Sequence, residues 1–117
     1  MSATLTAKER RLRDLARKYG TPLMVISRSM LRDQLDRFRR ALPRVEPFFA
    51  IKANSHPEII KTMVAGRASF DVASVAEMNQ VLAAKAKPSQ IIFANTVKPV
   101  ESIAHAAKKG VTLMTFD

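Results

Sequence analysis

The chain has 117 residues, of which 47% are hydrophobic and 26% charged, a balance typical of a folded domain and not of a disordered polypeptide. It has no cysteine, which excludes disulfides and thiolate metal sites, and its two histidines, His56 and His105, are too far apart to form a metal-binding motif. No apolar run reaches membrane-spanning length and the N-terminus lacks the apolar core of a signal peptide, so we expect a cytoplasmic protein with no membrane partner.

The net charge of +10 is concentrated in residues 1–46, which hold twelve Lys and Arg against five Asp and Glu. Such an excess is compatible with nucleic-acid binding. However, the cations alternate with acids on predicted helices, and aromatic residues that could stack on bases make up only 6% of the chain. We therefore favour the interpretation that these basic residues form a solvated helix face, or a surface that meets another segment of chain. A basic nucleic-acid-binding module is kept as an alternative.

Two amphipathic helices are predicted in the N-terminal third. The first, "TAKERRLRDLARKYG", begins with a capping box formed by Thr6 and Glu9 and ends at Gly20. The segment "TPLMVIS" follows as a short strand candidate, and Ser27 then caps the second helix, which ends before Pro43. The apolar stripes of the two helices are Leu12, Leu15, Ala16 and Tyr19, and Leu31, Leu35, Phe38 and Leu42.

From Pro47 onwards, apolar strands and short helices alternate. The predicted strands start at Pro47, Ser69, Ile91 and Leu113, a constant step of 22 residues. A constant step of this kind indicates a repeated supersecondary unit, here a strand followed by a helix. Alternating βα units with short loops predict a parallel sheet with right-handed crossovers, and the equal step favours a closed barrel over an open doubly wound sheet.

Two S-x-x-E motifs precede the helices of the first two units. Ser55 with Glu58, and Ser74 with Glu77, have the spacing of capping boxes immediately before an apolar run. We therefore predict that these four residues cap helices and do not perform chemistry. We expect His56 to be a turn residue, and His105 to lie at the surface or at the edge of the core.

Polar side chains gather where each predicted strand ends. They are Lys52 and Asn54, Asp71 and Ser74, Asn95 and Thr96, and Asp117. In parallel βα architectures these ends meet at one rim, where catalytic residues lie. A lysine whose stem lies in an apolar strand loses hydration, which favours the neutral amine that condenses with aldehydes such as pyridoxal phosphate. From the residues alone, this interpretation and a plain ion pair between Lys52 and Asp71 are equally supported.

Four segments carry a family resemblance: "FFAIKANSHPEII", "FDVASVAEMNQVL", "IIFANTVKP" and "GVTLMTFD". They resemble the group IV (eukaryotic-type) ornithine/lysine/diaminopimelate decarboxylases, and most of all the ornithine decarboxylase branch. The similarity runs from about Thr21 to Asp117, with the four motifs in the order and spacing of the family.

The resemblance implies an alanine-racemase-like (β/α)8 TIM barrel with a C-terminal β-domain. This α/β chain would be the truncated first half of that barrel, with about four βα units. Residues 1–27 would form an N-terminal helix and strand that pack with the β-domain, and residues 28–117 would form the N-terminal half of the pyridoxal-phosphate-binding barrel. The resemblance also implies that Lys52 carries the pyridoxal 5'-phosphate, that Asp71 lies beside the cofactor and that Ala50 lines its pocket.

The activity implied by the resemblance is the decarboxylation of ornithine to putrescine, a reaction of polyamine biosynthesis, in a cytoplasmic homodimer. The sequence does not separate ornithine from lysine as the small-molecule substrate. An alternative is a non-catalytic homologue of the antizyme-inhibitor type that binds a protein regulator.

Two departures from the family pattern affect these expectations. The chain stops at the fourth strand, before the glycine-rich phosphate loop and the other later motifs, so we expect an N-terminal fragment that is inactive alone. In addition, Ser69 stands where relatives usually have glycine, and "AAKAKPSQ" replaces a glycine-bearing turn. We expect strain in these tight turns.

Overall fold

The computed structural model describes residues 6–117, so the first five residues of the predicted segment 1–27 lie outside the described part of the chain. The helices of the described part are α1 (Ala7–Tyr19), α2 (Arg28–Ala41), α3 (Pro57–Ala65), α4 (Val75–Ala83) and α5 (Val100–Lys108). Its strands are β1 (Phe48–Ala50), β2 (Ser69–Val72), β3 (Ile91–Phe93) and β4 (Leu113–Met114). Short 3-10 turns follow β1 and precede β3, at Ile51–Ala53 and Pro88–Gln90.

The four strands form one parallel sheet in the order β1-β2-β3-β4, which confirms the predicted architecture. Paired residues are 21 positions apart in every strand pair, whereas β2, β3 and β4 start 22 positions apart. β3 and β4 therefore each start one residue further along the sheet than the preceding strand, whereas β1 and β2 start at paired positions. One residue spans about 3.3 Å and strands lie about 4.8 Å apart. From β2 to β4, this offset corresponds to a strand tilt of about 35° from the perpendicular to the rim of the sheet, close to the tilt of a (β/α)8 barrel.

The core lies between one face of the sheet and the helices. Phe70 and Val72 of β2 are fully buried on this face, and Ile91 and Phe93 of β3 are 1% and 2% exposed. The helices contribute their apolar stripes to the same core, with Leu35, Ile59, Ile60, Met63, Met78, Val81 and Ala106. Burial of each large apolar side chain stabilises the fold by about 1.5–3 kcal/mol.

The opposite face of the sheet is less well covered. One row of paired positions crosses all four strands on this face, at Ala50, Asp71, Ile92 and Leu113. The first three side chains are partly exposed, and Leu113 is 50% exposed. In a barrel of this kind, the corresponding face points into the interior.

Three of the helices end in the same way. The second residue after each helical end has a positive φ, at Arg67 (55°), Lys85 (73°) and Gly110 (78°). The next amide then bonds back to the helix, as when Ala86 N donates to Val81 O at 3.3 Å. The strain expected in "AAKAKPSQ" is therefore located at Lys85.

Ser69, the other expected site of strain, does not have a positive φ. It is the first residue of β2 and is 6% exposed. Its hydroxyl donates to Glu46 Oε1 at 2.7 Å, so this buried polar group is satisfied. The expectation of a strained turn at Ser69 is wrong.

The N-terminal segment differs in part from the prediction. Thr6 and Glu9 form the predicted capping box, and Gly20 ends α1 with φ 83°. Residues 21–26 form no strand within residues 6–117, and no backbone hydrogen bond of this part of the chain involves them. Four consecutive apolar side chains are exposed there, with Met24 at 81%. A strand needs a neighbouring strand to bond with, and no described strand pairs with this segment.

The two S-x-x-E motifs differ in structure. Ser74 caps α4 as predicted, by accepting the Glu77 amide at 3.2 Å, although the Glu77 carboxylate reaches Ala73 N instead of the cap residue. The prediction for Ser55 is wrong. His56 is the N-cap of α3, and its Nδ1 accepts the Glu58 amide at 3.2 Å. Pro57 directly after this cap is suited to the first helical position, where no amide hydrogen is needed.

Candidate cofactor site

The carboxyl ends of the four parallel strands place the predicted site residues along one rim of the sheet. Ala50 and Asp71 are paired positions on β1 and β2, on the partly exposed face. Lys52 follows Ala50 by two residues, and Asn95 and Asp117 follow the ends of β3 and β4. The sheet therefore brings Ala50, Asp71 and the turn that carries Lys52 to adjacent strand ends.

Lys52 does not lie in a strand. Strand β1 ends at Ala50, and Ile51–Ala53 form a 3-10 turn in which Asn54 N donates to Ile51 O at 3.1 Å. Ile51 is fully buried in the helix-packed core, whereas Lys52 is exposed. The expectation of a lysine desolvated by an apolar strand is therefore wrong, because the turn directs Ile51 into the core and leaves the next residue at the surface.

Neither Lys52 nor Asp71 has a side-chain partner within residues 6–117. The ion pairs of this part of the chain join Asp14 to Arg17, and Glu58 to both Arg28 and Lys61. The alternative of a plain ion pair between Lys52 and Asp71 is therefore not formed. The rim retains an amine and a carboxylate that no other described side chain engages.

The other polar residues of the rim shape its loops. Asn54 Oδ1 accepts the His56 amide at 3.0 Å, which fixes the turn before α3. Asn95 Nδ2 donates to Val97 O at 2.8 Å within the loop before α5. His105, which we expected at the edge of the core, is partly buried and bonds through Nε2 to Asn79 Oδ1 at 3.0 Å, so it joins α5 to α4.

One contact at the rim was missed by sequence reasoning. Lys98 Nζ donates to the main-chain oxygen of Thr115 at 2.5 Å and lies 5.1 Å above the centre of the Phe93 ring. The hydroxyl of Thr115 is buried without a hydrogen-bond partner among the described residues. No local pattern signals this contact, because it exists only once β4 is placed beside β3.

The residues present at the rim fit an aldehyde cofactor. An exposed primary amine can bind a carbonyl carbon, and a carboxylate on the adjacent strand can hold a proton or orient a heterocycle. The unpartnered Thr115 hydroxyl offers a further polar group at the same end of the sheet. Within residues 6–117 no group of three or more His, Asp or Glu side chains is arranged for a metal ion.

Three cavities of the described chain lie away from these side chains. One of about 250 Å³ lies between α2 and β1, and one of about 240 Å³ lies between α3 and α4. A larger one, of about 900 Å³, lies between α1 and residues 25–30. No helix in the described residues combines the length and apolarity required to cross a membrane.

Comparison with known proteins identifies the family. Residues 28–117 match the family described as "Pyridoxal-dependent decarboxylase, pyridoxal binding domain". The chain belongs to the pyridoxal-dependent decarboxylases. Pyridoxal phosphate is accordingly the cofactor of the family domain to which these residues belong. The resemblance inferred from the four motifs is confirmed at the level of this ornithine-decarboxylase-like family.

Relatives of this pyridoxal-dependent decarboxylase domain include proteins with different roles. The chain is 40% identical over 96 residues to the chloroplastic ornithine decarboxylase of Nicotiana glauca, covering 82% of the chain and 22% of the relative. It is 46% identical over 81 residues to antizyme inhibitor 2 of Xenopus laevis, covering 69% of the chain and 18% of the relative. The chain thus spans only 18% to 22% of the length of these two relatives.

A solved structure supports the fold of this decarboxylase domain. The lysine/ornithine decarboxylase of Vibrio vulnificus, complexed with putrescine, superposes with a TM-score of 0.86 at 28% identity. The match covers 97% of this chain and 32% of the other. The four parallel strands therefore correspond to the N-terminal part of a decarboxylase barrel, which confirms the predicted fold class.

Proposed function

We propose that this chain is the N-terminal part of a pyridoxal-phosphate-dependent decarboxylase that converts ornithine to putrescine and carbon dioxide, a reaction of polyamine biosynthesis. The observation that carries the proposal is the unpartnered amine of Lys52 at the carboxyl rim of a sheet of this family, beside the strand that bears Asp71. The 40% identity to a plant ornithine decarboxylase supports the proposal.

Each of the three site residues has a distinct role in this proposal. Lys52 would hold the cofactor through its amine. Asp71 orients the cofactor from the neighbouring strand. Ala50, the paired position of Asp71, has a side chain small enough to leave room for a ring against the sheet. When bound, pyridoxal phosphate supplies the electron sink for loss of carbon dioxide.

The motif pattern after the third strand favours ornithine over diaminopimelate as the substrate, but it does not separate ornithine from lysine. The relative from Vibrio vulnificus is named as a lysine/ornithine decarboxylase, so the fold accommodates either chain length in that protein. The two substrates differ by one methylene, which an apolar pocket distinguishes by only about 1–3 kcal/mol. Rates with both substrates, measured on a full-length protein that carries these residues, test this part of the proposal.

We also propose that residues 1–27 pack with a C-terminal β-domain in a full-length, cytoplasmic homodimer. The exposed apolar residues 23–26, whose backbone has no partner in the described chain, suit a strand that joins another sheet. This proposal also gives the apolar stripe of α1, in which Tyr19 is 63% exposed, a surface to pack against.

The test of Lys52 is chemical labelling. A full-length protein is incubated with pyridoxal phosphate, reduced with borohydride and digested, and the modified lysine is located by mass spectrometry. We expect the label on Lys52 and its loss in Lys52→Ala, which also abolishes decarboxylation. Lys87→Ala, at another exposed lysine, should retain both label and activity. A label on a different lysine would contradict the assignment.

We further propose that the 117 residues alone show no turnover, because they supply one rim segment of a larger site. Decarboxylation of ornithine by the isolated chain, above that of its Lys52→Ala variant, would contradict this. Release of labelled carbon dioxide from carboxyl-labelled ornithine provides a sensitive measurement.

A second candidate function is binding of a protein regulator without catalysis. The observation that favours it is the 46% identity to antizyme inhibitor 2. The two functions differ in their dependence on Lys52. A regulator-binding protein should keep its affinity for the regulator in Lys52→Ala, and the full-length form should show no decarboxylation before or after the substitution.

A further inference from the structure

The turn that carries Lys52 is joined to α3 by a short series of hydrogen bonds. Asn54 N donates to Ile51 O at 3.1 Å, and Asn54 Oδ1 accepts the His56 amide at 3.0 Å. His56 Nδ1 in turn accepts the Glu58 amide at 3.2 Å, at the start of the helix. These three contacts lead from the end of β1 to the first turn of α3, and Lys52 lies within the segment that they hold.

The two ends of this segment are anchored in the core, whereas its middle is not. Ile51 is fully buried before Lys52, and Ile59 is 6% exposed after His56. Lys52 and His56 are themselves exposed. Because Lys52 makes no ion pair within residues 6–117, the position of its amine depends on the backbone of the turn. The hydrogen bonds made by Asn54 and His56 restrain that backbone between the two buried isoleucines.

The capping atom of α3 is one that can take up a proton. An imidazole nitrogen accepts a hydrogen bond only while it is unprotonated, so His56 Nδ1 caps α3 in the neutral ring, with the ring proton on Nε2. Histidine side chains ordinarily change charge between about pH 5 and pH 8. The next βα unit differs, because the Ser74 hydroxyl, which does not titrate, accepts the Glu77 amide at 3.2 Å. The titratable cap therefore lies in the unit that carries Lys52.

The acid beside His56 is already neutralised by other cations. Glu58 Oε2 binds Arg28 at 3.0 Å, and Glu58 Oε1 binds Lys61 at 2.9 Å. The hydrogen bond from Lys61 and the charge of Lys61 lower the pKa of Glu58, with smaller contributions from Arg28 and His56. Glu58 therefore stays ionised and paired throughout the range in which histidine titrates, and a change at His56 in this range is not a change at Glu58.

The other surroundings of His56 oppose a charged ring. A helix N-terminus carries a partial positive charge, and His56 stands at the N-terminus of α3. The amine of Lys52 adds a like charge four residues earlier in the sequence. In the cavity between α3 and α4, helix α4 contributes the uncharged side chains of Gln80, Ala83 and Ala84. Protonation of His56 therefore removes the cap and adds repulsion at the same place.

We propose that His56 is a positioning residue for Lys52. Its neutral imidazole caps α3 and holds residues 51–55 in place, and its protonation loosens this turn, so that pyridoxal phosphate is bound less tightly in mild acid. The binding part of this inference rests on the proposed function, in which Lys52 holds the cofactor. The structural part does not, because it concerns the hydrogen bonds of the turn in the chain without cofactor.

The first experiment measures amide hydrogen exchange in the 117-residue chain at about pH 7.5 and about pH 5.5, with correction for the intrinsic pH dependence of exchange. The amides of Asn54 and Glu58 report on the two ends of the hydrogen-bonded series. We expect their protection to fall about fivefold at the lower pH, the effect of losing one helix cap. His56→Asn, which keeps a capping acceptor that does not titrate, should retain protection at both pH values. His56→Ala should lack it at both.

The second experiment titrates pyridoxal phosphate into a full-length protein that carries these residues and follows the absorbance of the bound cofactor. The Lys52 amine and the cofactor titrate in every variant, so the informative value is the ratio of half-saturating concentrations between wild type and His56→Asn. We expect this ratio to be near one at about pH 7.5 and about fivefold at about pH 5.5.

The matched control is His105→Asn. His105 is the other histidine of the chain, and it bonds to Asn79 between α4 and α5, away from the turn with Lys52. Both pH profiles of this variant should match those of wild type. If His105→Asn abolished the pH dependence as His56→Asn is expected to do, the proposal would be overturned.

Two results of the exchange measurement would also overturn the proposal. One is equal protection in wild type and His56→Asn at the lower pH. The other is a loss confined to the Glu58 amide with Asn54 unaffected, because the cap would then not hold the turn that carries Lys52. If no variant binds pyridoxal phosphate at any pH, the proposed function fails, while the exchange rates still decide whether His56 holds the turn.

Discussion

Ala50 and Asp71 are directly paired across β1 and β2, on the face of the sheet opposite the helix-packed core. This pairing sets the proposed cofactor site, because the turn with Lys52 begins immediately after Ala50. The Asp71 carboxylate makes no ion pair or side-chain hydrogen bond in the described chain, which is unusual for a partly buried charge. An acid without a structural partner is suited to a role toward a ligand.

We therefore expect Asp71→Asn to leave folding intact while it weakens cofactor binding. The free energy of unfolding of the 117-residue chain should change by no more than about 0.5 kcal/mol, because no contact is removed. In a full-length protein, the same substitution should raise the pyridoxal phosphate concentration needed for half-maximal absorbance of the bound cofactor by at least tenfold. Urea titration and absorbance titration give the two values.

The matched control for Asp71 is Asp36→Asn on α2, outside the rim. Asp36→Asn should change neither the free energy of unfolding nor the pyridoxal phosphate concentration needed for half-maximal absorbance. If Asp71→Asn unfolded the chain as readily as a core substitution, the carboxylate would have a structural partner and its proposed role would be wrong.

A second prediction separates the two S-x-x-E motifs. Ser74 accepts the Glu77 amide and caps α4, so Ser74→Ala should destabilise the fold by about 1 kcal/mol. Ser55 is exposed and His56 takes the capping role at α3, so Ser55→Ala should cost less than about 0.5 kcal/mol. Equal losses in the two variants, measured by urea denaturation, would contradict the assignment of the caps.

These two serines show how far the sequence predicts the structure. The apolar runs and the step of 22 residues place the strand starts to within one residue, because burial of a repeated βα unit leaves little freedom in register. Caps are less predictable, since His56 and Ser55 are both capable acceptors and only the backbone before Pro57 decides between them. The bond from Lys98 to Thr115 depends on residues 17 positions apart meeting after the sheet forms.

Glu58 gives a third prediction, on pH. A hydrogen bond from Lys61 and the attraction of its charge lower the pKa of Glu58, with Arg28 adding to the effect. A carboxyl whose pKa is lower in the folded state contributes stability above its unfolded-state pKa, and loses it as pH falls through the folded-state value. The urea midpoint of the wild-type chain should therefore fall more steeply in acid than that of Glu58→Gln.

The control for this acid effect is Glu101→Gln, in the first turn of α5. Glu101 forms no ion pair within residues 6–117, and its substitution should leave the wild-type pH profile nearly unchanged. Midpoints measured between neutral pH and about pH 3 cover the range in which glutamate titrates. Parallel profiles for wild type and Glu58→Gln would show that the Lys61 and Arg28 contacts do not contribute.

A fourth prediction concerns the backbone after α4, where Lys85 has a φ of 73°. A residue with a Cβ in this region costs about 1–2 kcal/mol, whereas glycine adopts it without a steric penalty. Part of the stability gained by placing glycine at this position is offset, because glycine loses more conformational entropy on folding. Lys85→Gly should therefore raise the free energy of unfolding by about 0.5–1 kcal/mol, and Lys85→Ala, which keeps a Cβ, should give no comparable gain.

Lys87 provides the contrast two residues later in the same turn. Its φ of −77° is normal for any residue, so Lys87→Gly should lower the free energy of unfolding by about 0.5–1 kcal/mol through the entropy of the unfolded chain alone. Opposite signs for the two glycine substitutions would locate the strain of "AAKAKPSQ" at Lys85. If both variants were destabilised equally, the positive φ at Lys85 would carry no strain.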